Sequence, residues 1–211
     1  MSFLEEIDEG AAVGRVAEHY ESERSSKGYL PNYVKAFSTR PEVYDAWGHL
    51  IGAIKANMDL RRYELVTLAA ARELRSSYCS LAHGKVLLDK FLDEDSLRDL
   101  VVAQPDNVQA DDELDQEGHR APRAIDRAVM NLAAKVAADA PAVTEADIDA
   151  LRRLGLPDDQ ILDVVLAAAA RAFFTKVLDG IGTRPDGEYR GLLGEDLADL
   201  LAVGRPVEDR A

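Results

Sequence analysis

The feature that most restricts the fold is the helical spacing of apolar residues, which recurs along the chain. Residues 161–178 read ILDVVLAAAARAFFTKVL and are apolar on nearly every side of a helix. We therefore expect this segment to lie at the centre of the molecule or in a subunit interface. Alternating β-branched runs, which would predict strands, are absent. The sequence predicts an all-α protein of about eight to ten helices.

Length and charge limit the kinds of partner that the protein can have. A chain of 211 residues can bury a sizeable core, as one large domain or two small ones. Its net charge of −14 would repel phosphates, so we expect neither nucleic acid nor an anionic membrane surface as a partner. No run approaches the roughly 20 apolar residues of a membrane span.

The first residues and the cysteine content predict a cellular location. The sequence MSFLEEIDEG has no basic segment followed by an apolar one, so it does not read as a signal peptide. A single cysteine excludes a structural disulfide within the chain and fits a reducing compartment. We expect a cytoplasmic protein.

The chain divides into three segments that we expect to pack as one compact domain. Residues 1–103 form an N-terminal helical part, and residues 122–211 form a C-terminal one that ends in a short amphipathic helix and a fraying tail. Residues 104–121 between them are rich in loop-forming and acidic residues, with Pro105 and Gly118. This connection is either a surface linker or a lid over a neighbouring site.

An internal repeat relates the two helical parts. Sliding the chain by 64 residues aligns residues 63–103 with residues 127–167 without a gap, and ten of the 41 pairs are identical. Most identical pairs are apolar, which would preserve packing, although alanine and leucine richness also favours chance matches. We therefore expect two related helical halves.

One short stretch of the first half carries a chemical motif. Cys79 is the only cysteine, and His83 follows four residues later. On a helix these positions share one face about one turn apart, so the thiol and the imidazole can meet. Ser76 and Ser77 favour a helix start, and we expect a new helix from about Tyr78. Cys79 then lies in a first turn, where the helix dipole favours the thiolate, and His83 can take its proton.

This stretch resembles the alkylhydroperoxidase D-like group of the carboxymuconolactone decarboxylase superfamily. Redox members carry Cys-x-x-Cys-x-x-x-His, with a glutamate fifteen residues before the second cysteine. Here Cys79 is the second cysteine, His83 is the histidine, Glu64 is the glutamate, and Ser76 occupies the first cysteine position. Further segments are similar to the peroxidase-related subgroup, so that the resemblance covers about residues 28 to 182: GYLPNY at 28–33, RPEV at 40–43 and LGLPDDQI at 154–161.

The resemblance implies a fold, an activity and partners. The fold would be the all-α AhpD-like one, in a homo-oligomer. The activity would be that of a peroxidase in which His83, polarised by Glu64, deprotonates Cys79, and the thiolate attacks a small-molecule peroxide to become sulfenic acid. Because Ser76 replaces the first cysteine, reduction would come from an external thiol or from Cys79 of another subunit. No organic cofactor is required.

The second half would lack this site, because the motif does not repeat. At a shift of 64 residues Glu64, Cys79 and His83 align with Ala128, Val143 and Asp147. We expect the second half to supply walls and no nucleophile.

The same residues also allow other interpretations. Cys79 alone is often a small buried hydrophobe, and a helical glutamate such as Glu64 is usually solvated. Ser76 either donates a hydrogen bond to the thiolate or only caps the helix, and Tyr78 either hydrogen-bonds in the pocket or packs. No further ligand lies close in sequence, so we expect no metal site.

Two other function classes stay open. One is a non-redox enzyme of the same superfamily, with a lactone-decarboxylase-like activity, in which His83 and Glu64 act as acid and base. The other is a catalytically silent relative that serves in binding or assembly.

Overall fold

A computed structural model of the protein describes residues 2–102 and 124–209. All regular structure in these ranges is helical, which confirms the predicted all-α class. The predicted connection at 104–121 lies outside the described residues. The α-helices are α1 (Gly14–Lys27), α2 (Asn32–Ala36), α3 (Pro41–Lys55), α4 (Leu60–Glu73), α5 (Ser77–Lys90), α6 (Glu94–Val102), α7 (Ala124–Asp139), α8 (Glu145–Arg153), α9 (Asp158–Gly180), α10 (Glu188–Leu193) and α11 (Glu195–Leu201).

Local capping explains where several helices begin. Asp59 accepts a hydrogen bond from the amide of Arg62 at 3.0 Å and so caps α4. Thr144 and Asp147 form a capping box at the start of α8. Pro157 occupies the cap position of α9, and Asp158 and Asp159 place negative charge in its first turn.

Helix α4 lies at the centre of the fold. It packs against α5, α7 and α9, and ten of its 14 residues are buried. The small residues Ala69, Ala70 and Ala71 let the neighbouring helices approach closely. No helix within the described ranges is both long enough and apolar enough to cross a membrane.

Helix α9 has one buried and one exposed apolar face. Its buried face packs on α4 and α7. The opposite face carries Leu162, Leu166 and Phe173, which are 55%, 41% and 46% exposed and share one side of the helix. The homo-oligomer that the sequence predicts stays a prediction.

The helix ends match the internal repeat. Helices α6 and α9 begin at residues 94 and 158, which are 64 residues apart. The turns that precede α6 and α9 are also alike. The amide of Leu92 donates to the carbonyl of Leu87 at 2.9 Å, and the amide of Leu156 donates to the carbonyl of Leu151 at 3.1 Å. These matches support two related halves, which the identities alone left open.

The C-terminal segment after α11 is packed, so the predicted fraying is wrong for residues 202–209. The amide of Gly204 donates to the hydroxyl of Ser77 at 2.7 Å. Val207 is only 4% exposed, and the amide of Glu208 donates to the carbonyl of Pro185 at 2.9 Å. This segment lies across the start of α5 and fixes the helix that carries Cys79.

Candidate active site

A cavity of about 640 Å³ lies beside Cys79. Its walls come chiefly from α3, α4, α5 and α9. Six of the seven tyrosines of the chain and its only tryptophan line it. The aromatic and ionisable lining residues are Glu23, Lys27, Tyr29, Tyr33, Tyr44, Trp47, Lys55, Tyr63, Glu64, Tyr78, Cys79, His83, Lys85, Asp89, Arg171, Phe174 and Tyr189.

Glu64 and His83 meet as the sequence predicts. Glu64 lies on the buried face of α4 and is 3% exposed, and its Oε2 is 2.5 Å from Nδ1 of His83 on α5. Burial raises the pKa of Glu64, but the neighbouring His83 outweighs it and the net pKa is lowered. For His83, burial and then the charge of Arg171 lower the pKa, although Glu64 raises it. Glu64 is therefore ionised and His83 neutral near pH 7, so Nδ1 donates to the carboxylate and Nε2 is left to accept a proton.

Cys79 lies in the first turn of α5 as predicted, but its sulfur has partners that the motif does not contain. The side chain is 2% exposed. Its Sγ accepts hydrogen bonds from Nη1 of Arg171 and from the hydroxyl of Thr175, each at 3.6 Å. His83 lines the same cavity, but within the described residues it is not a hydrogen-bond partner of this sulfur. The shared helix face brings both side chains to the cavity, but the carboxylate of Glu64 holds the imidazole.

Arg171 is the residue that sequence reasoning missed. Its side chain is buried, and within the described ranges it forms no ion pair with a carboxylate. Its guanidinium lies 5.5 Å and 5.6 Å from the ring centroids of Trp47 and Phe174, and Nη2 donates to the hydroxyl of Tyr63 at 3.2 Å. Burial would lower the pKa of Arg171, but Cys79 and Tyr63 raise it above its ordinary value. A lone arginine within the apolar run 161–178 was the signal that could have identified it.

Comparisons with solved structures identify the fold of the chain. No protein-family model and no curated protein matches the chain. A crystal structure from Ralstonia eutropha JMP134, described as an uncharacterized peroxidase-related protein with the alkylhydroperoxidase AhpD core, aligns with a TM-score of 0.72 and 21% identity over 89% of this chain and 94% of that one. A peroxidase-related protein from Silicibacter sp. TM1040 aligns with a TM-score of 0.69 and 20% identity, covering 90% and 91%. The chain has the AhpD-like fold.

A third solved structure with this fold is that of a debrominase. The debrominase Bmp8 aligns with a TM-score of 0.64 and 12% identity over 89% of this chain and 91% of that one. A cysteine-to-alanine variant of Bmp8, in complex with 2,3,4-tribromopyrrole, aligns with a TM-score of 0.63. At these identities the likeness establishes the AhpD-like fold and leaves the reaction to be argued from the site.

Ser76 does not act in either of the two ways that the sequence left open. It is fully buried at the N-cap position of α5, yet its side chain makes no capping hydrogen bond. It is also not among the donors to Sγ of Cys79 within the described residues. Its side chain instead acts on the carboxyl group of Asp179, whose pKa is raised by burial and lowered by Ser76. Its carbonyl accepts from the amide of Ser80 at 3.0 Å.

Tyr78 serves to anchor α5 and also lines the cavity. Its hydroxyl donates to Oδ2 of Asp186 and accepts from the amide of Tyr33 at 3.1 Å. Burial raises the pKa of Asp186 to about 6. Tyr78 therefore makes the predicted hydrogen bond, but to a buried carboxylate on the loop before α10.

The second half of the AhpD-like fold also contributes side chains that contact Cys79. Arg171 and Thr175, both on α9, supply the two hydrogen bonds to the sulfur. The expectation that this half lacks the site is therefore corrected: it has no nucleophile but contributes the cation.

In the described ranges no cluster of three or more His, Cys, Asp or Glu is arranged to hold a metal ion.

Proposed function

We propose that the protein is a thiol-dependent oxidoreductase that reduces a small organic hydroperoxide with Cys79, assisted by Glu64 and His83. The observation that carries the proposal is the buried guanidinium of Arg171, which donates to Sγ of Cys79 at 3.6 Å, while the carboxylate of Glu64 acts on it only from beyond ion-pair distance. A buried cation is stabilised by a negative charge in direct contact with it. The thiolate form of Cys79 would provide that contact and is also the nucleophile that a peroxidase needs.

The cavity offers further donors to a peroxide. Arg171 and Trp47 both line it, and in the described structure Nε of Arg171 and Nε1 of Trp47 are buried without a hydrogen-bond partner. Peroxide oxygens accept hydrogen bonds, so a bound hydroperoxide would satisfy these N–H groups. The donors would also stabilise the negative charge that develops on the leaving oxygen.

The reaction then proceeds in two stages. The Cys79 thiolate attacks the terminal peroxide oxygen, so an S–O bond forms, the O–O bond breaks and the sulfur is oxidised to sulfenic acid. The proton that the thiol loses passes through a water in the cavity to Nε2 of His83, and from there to the leaving alkoxide. Glu64 holds the imidazole and stabilises its charged form.

Regeneration requires a thiol from outside the chain. Cys79 is the only cysteine. An external thiol attacks the sulfenic acid, which forms a mixed disulfide and releases water, and a second thiol releases the Cys79 thiol as the external disulfide forms. The product of the whole cycle is an alcohol, with water and one disulfide of the reductant.

The test is to treat the protein with cumene hydroperoxide and a sulfenic-acid trap and to measure intact mass. We expect one trap adduct on the wild type and none on Cys79→Ser, with slower labelling in His83→Ala. Continuous turnover should require an added thiol. An inert Cys79, or peroxide consumption that persists in Cys79→Ser, would contradict the proposal and favour the non-redox or silent alternatives.

A second candidate is reductive dehalogenation of a halogenated aromatic compound. The aromatic walls of the cavity and the likeness to a debrominase favour it. The thiolate would take the halogen from the ring, the ring carbon would gain a proton, and an external thiol would displace halide from sulfur to give a mixed disulfide. Thiol-dependent bromide release from 2,3,4-tribromopyrrole, faster than hydroperoxide reduction, would make this the better assignment.

A further inference from the structure

The charged side chains along the cavity divide into those with partners and those without. Both inner carboxylates are occupied: Glu23 accepts hydrogen bonds from the hydroxyls of Tyr33 and Tyr44 at 2.5 and 2.7 Å, and Glu64 contacts His83. Neither carboxylate forms an ion pair with a lysine of the cavity in the described residues, and Lys55 acts on Glu64 only at longer range.

The remaining charges at the opening are mainly positive, against the composition of the chain. Acidic residues outnumber basic ones by 39 to 25 in the sequence. At the cavity, however, the four basic residues Lys27, Lys55, Lys85 and Arg171 outnumber the three carboxylates, and the exposed charges are those of Lys27, Lys55 and Asp89. Lys85 is paired with Asp89, whereas Lys27 and Lys55 form no ion pair in the described part of the chain. The opening therefore presents ammonium groups that a ligand can reach.

Lys55 is a lysine of the cavity whose charge acts on the residues around Cys79. Its Nζ lies 5.0 Å from the ring centroid of Tyr63, which also accepts the hydrogen bond from Arg171. Its charge adds to burial and Arg171 in lowering the pKa of His83. Being exposed, Lys55 can bind an anion without losing much solvation.

The inner walls select for a flat apolar group. Trp47 and Phe174 stack with ring centroids 4.1 Å apart, and Phe37 continues the stack on Phe174 at 5.4 Å. An aromatic ring in the cavity would add an offset or edge contact to this cluster. A ligand that joins an aryl ring to an anionic group would match the inner wall and the opening together.

We propose that the substrate is an aryl hydroperoxide that carries a carboxylate, with its ring against Trp47 and its carboxylate paired with Lys55. The inference rests on the proposed function, because it takes the cavity beside Cys79 as the substrate site. It adds Lys55 as the residue that determines specificity. The peroxide group of such a molecule would lie at the sulfur, to which Nη1 of Arg171 already donates.

Binding can be measured without any reaction, because Trp47 is the only tryptophan and lines the cavity. The probe is para-isopropylbenzoate, titrated against Trp47 fluorescence, with para-isopropylbenzamide as its uncharged counterpart. We expect the benzoate to bind about fivefold more tightly than the amide, with the difference decreasing as salt is added. Lys55→Met should remove the preference and leave amide binding unchanged.

The control is Lys176→Met, an exposed lysine on α9 that does not line the cavity. It changes the net charge equally and should keep the preference. Equal binding of the two probes, or equal weakening of both by Lys55→Met, would overturn the inference. The trap experiment separates the two proposals: an inert Cys79 with benzoate selectivity intact refutes peroxidase activity alone, and a reactive Cys79 without that selectivity refutes the carboxylate substrate alone.

Discussion

The two halves of the chain share a helical pattern but use their matched polar positions differently. The first half places Glu64 and His83 in contact inside a cavity, 2.5 Å apart. The position that matches His83 holds Asp147, which caps α8 and pairs with Lys135 at 2.6 Å. The same site in the repeat therefore serves chemistry in one half and helix stability in the other.

The comparison also shows where the second half does reach the site. Arg171 and Thr175 lie beyond the aligned part of the repeat and contact Cys79 across the molecule. A cation that contacts the nucleophile favours its charged form. In the reaction that we propose, the nucleophile and the proton relay belong to one half, and the group that balances the thiolate belongs to the other.

Replacing Arg171 should give the largest effect. Arg171→Met removes the buried cation and should slow both peroxide-dependent trapping and iodoacetamide alkylation of Cys79 at pH 7 by roughly a hundredfold. Arg171→Lys should recover part of the rate, because it keeps the charge but loses the planar contacts. The measurement is the second-order rate constant as a function of pH, with circular dichroism to show that each variant is folded.

The control is Arg153→Met, which removes an exposed arginine of the second half. It should leave the alkylation rate unchanged. An Arg171→Met protein that is folded and alkylated at the wild-type rate would show that the second half does not activate the sulfur.

Glu64→Gln should have the next largest effect, about a tenfold loss of peroxide reactivity, below the ~100-fold that loss of a general base typically costs. The amide keeps the shape but no longer stabilises protonated His83, so the pKa of His83 should decrease further. The histidine resonances in an NMR titration report that change. Glu73→Gln, an exposed glutamate on the same helix, should alter neither quantity; if it did, the effect would be one of net charge.

Much of the first half could be predicted, because its chemistry depends on local helical spacing. The distance of four residues between Cys79 and His83 placed both at one cavity, and the family spacing identified Glu64. The shared face alone does not determine the hydrogen-bond partner of the imidazole, which is Glu64 in the described residues. A side chain has several rotamers, and the buried carboxylate fixed the one that was adopted.

The partners of the sulfur could not be predicted in the same way. Arg171 is 92 residues and Thr175 is 96 residues from Cys79 in sequence, so no local period relates them. Their contact depends on how α9 packs against α4, which apolar patterning does not specify in detail. Burial of the segment around Arg171 was predictable, and a charged residue within a buried run indicates a functional site.

The pH dependence of stability offers a smaller effect that tests the environment of His83. Burial and the charge of Arg171 lower the pKa of His83 in the folded protein. At a pH just below about 6.5, the ordinary pKa of histidine, the folded state therefore binds fewer protons at His83 than the unfolded chain does. Its contribution to stability is complete above that pH and is lost as the pH falls through the lowered pKa. In urea unfolding, the stability of wild type relative to His83→Gln should therefore decrease from pH 7.5 toward pH 5. A difference that does not vary with pH would show that His83 is not buried as described.

The smallest effect is expected at Asp147, the counterpart of His83 in the second half. Hydrogen bonds from Lys135 and Thr144 lower the pKa of Asp147 to about 2. Asp147→Asn weakens the capping box and the ion pair, so the melting temperature should fall by roughly 2 to 4 °C, with Cys79 labelling unchanged. Asp149→Asn on the same helix, which loses one exposed ion pair, should change the melting temperature less. Slower Cys79 labelling in Asp147→Asn would mean that this position still acts on the sulfur, and the functional difference between the two halves would not hold.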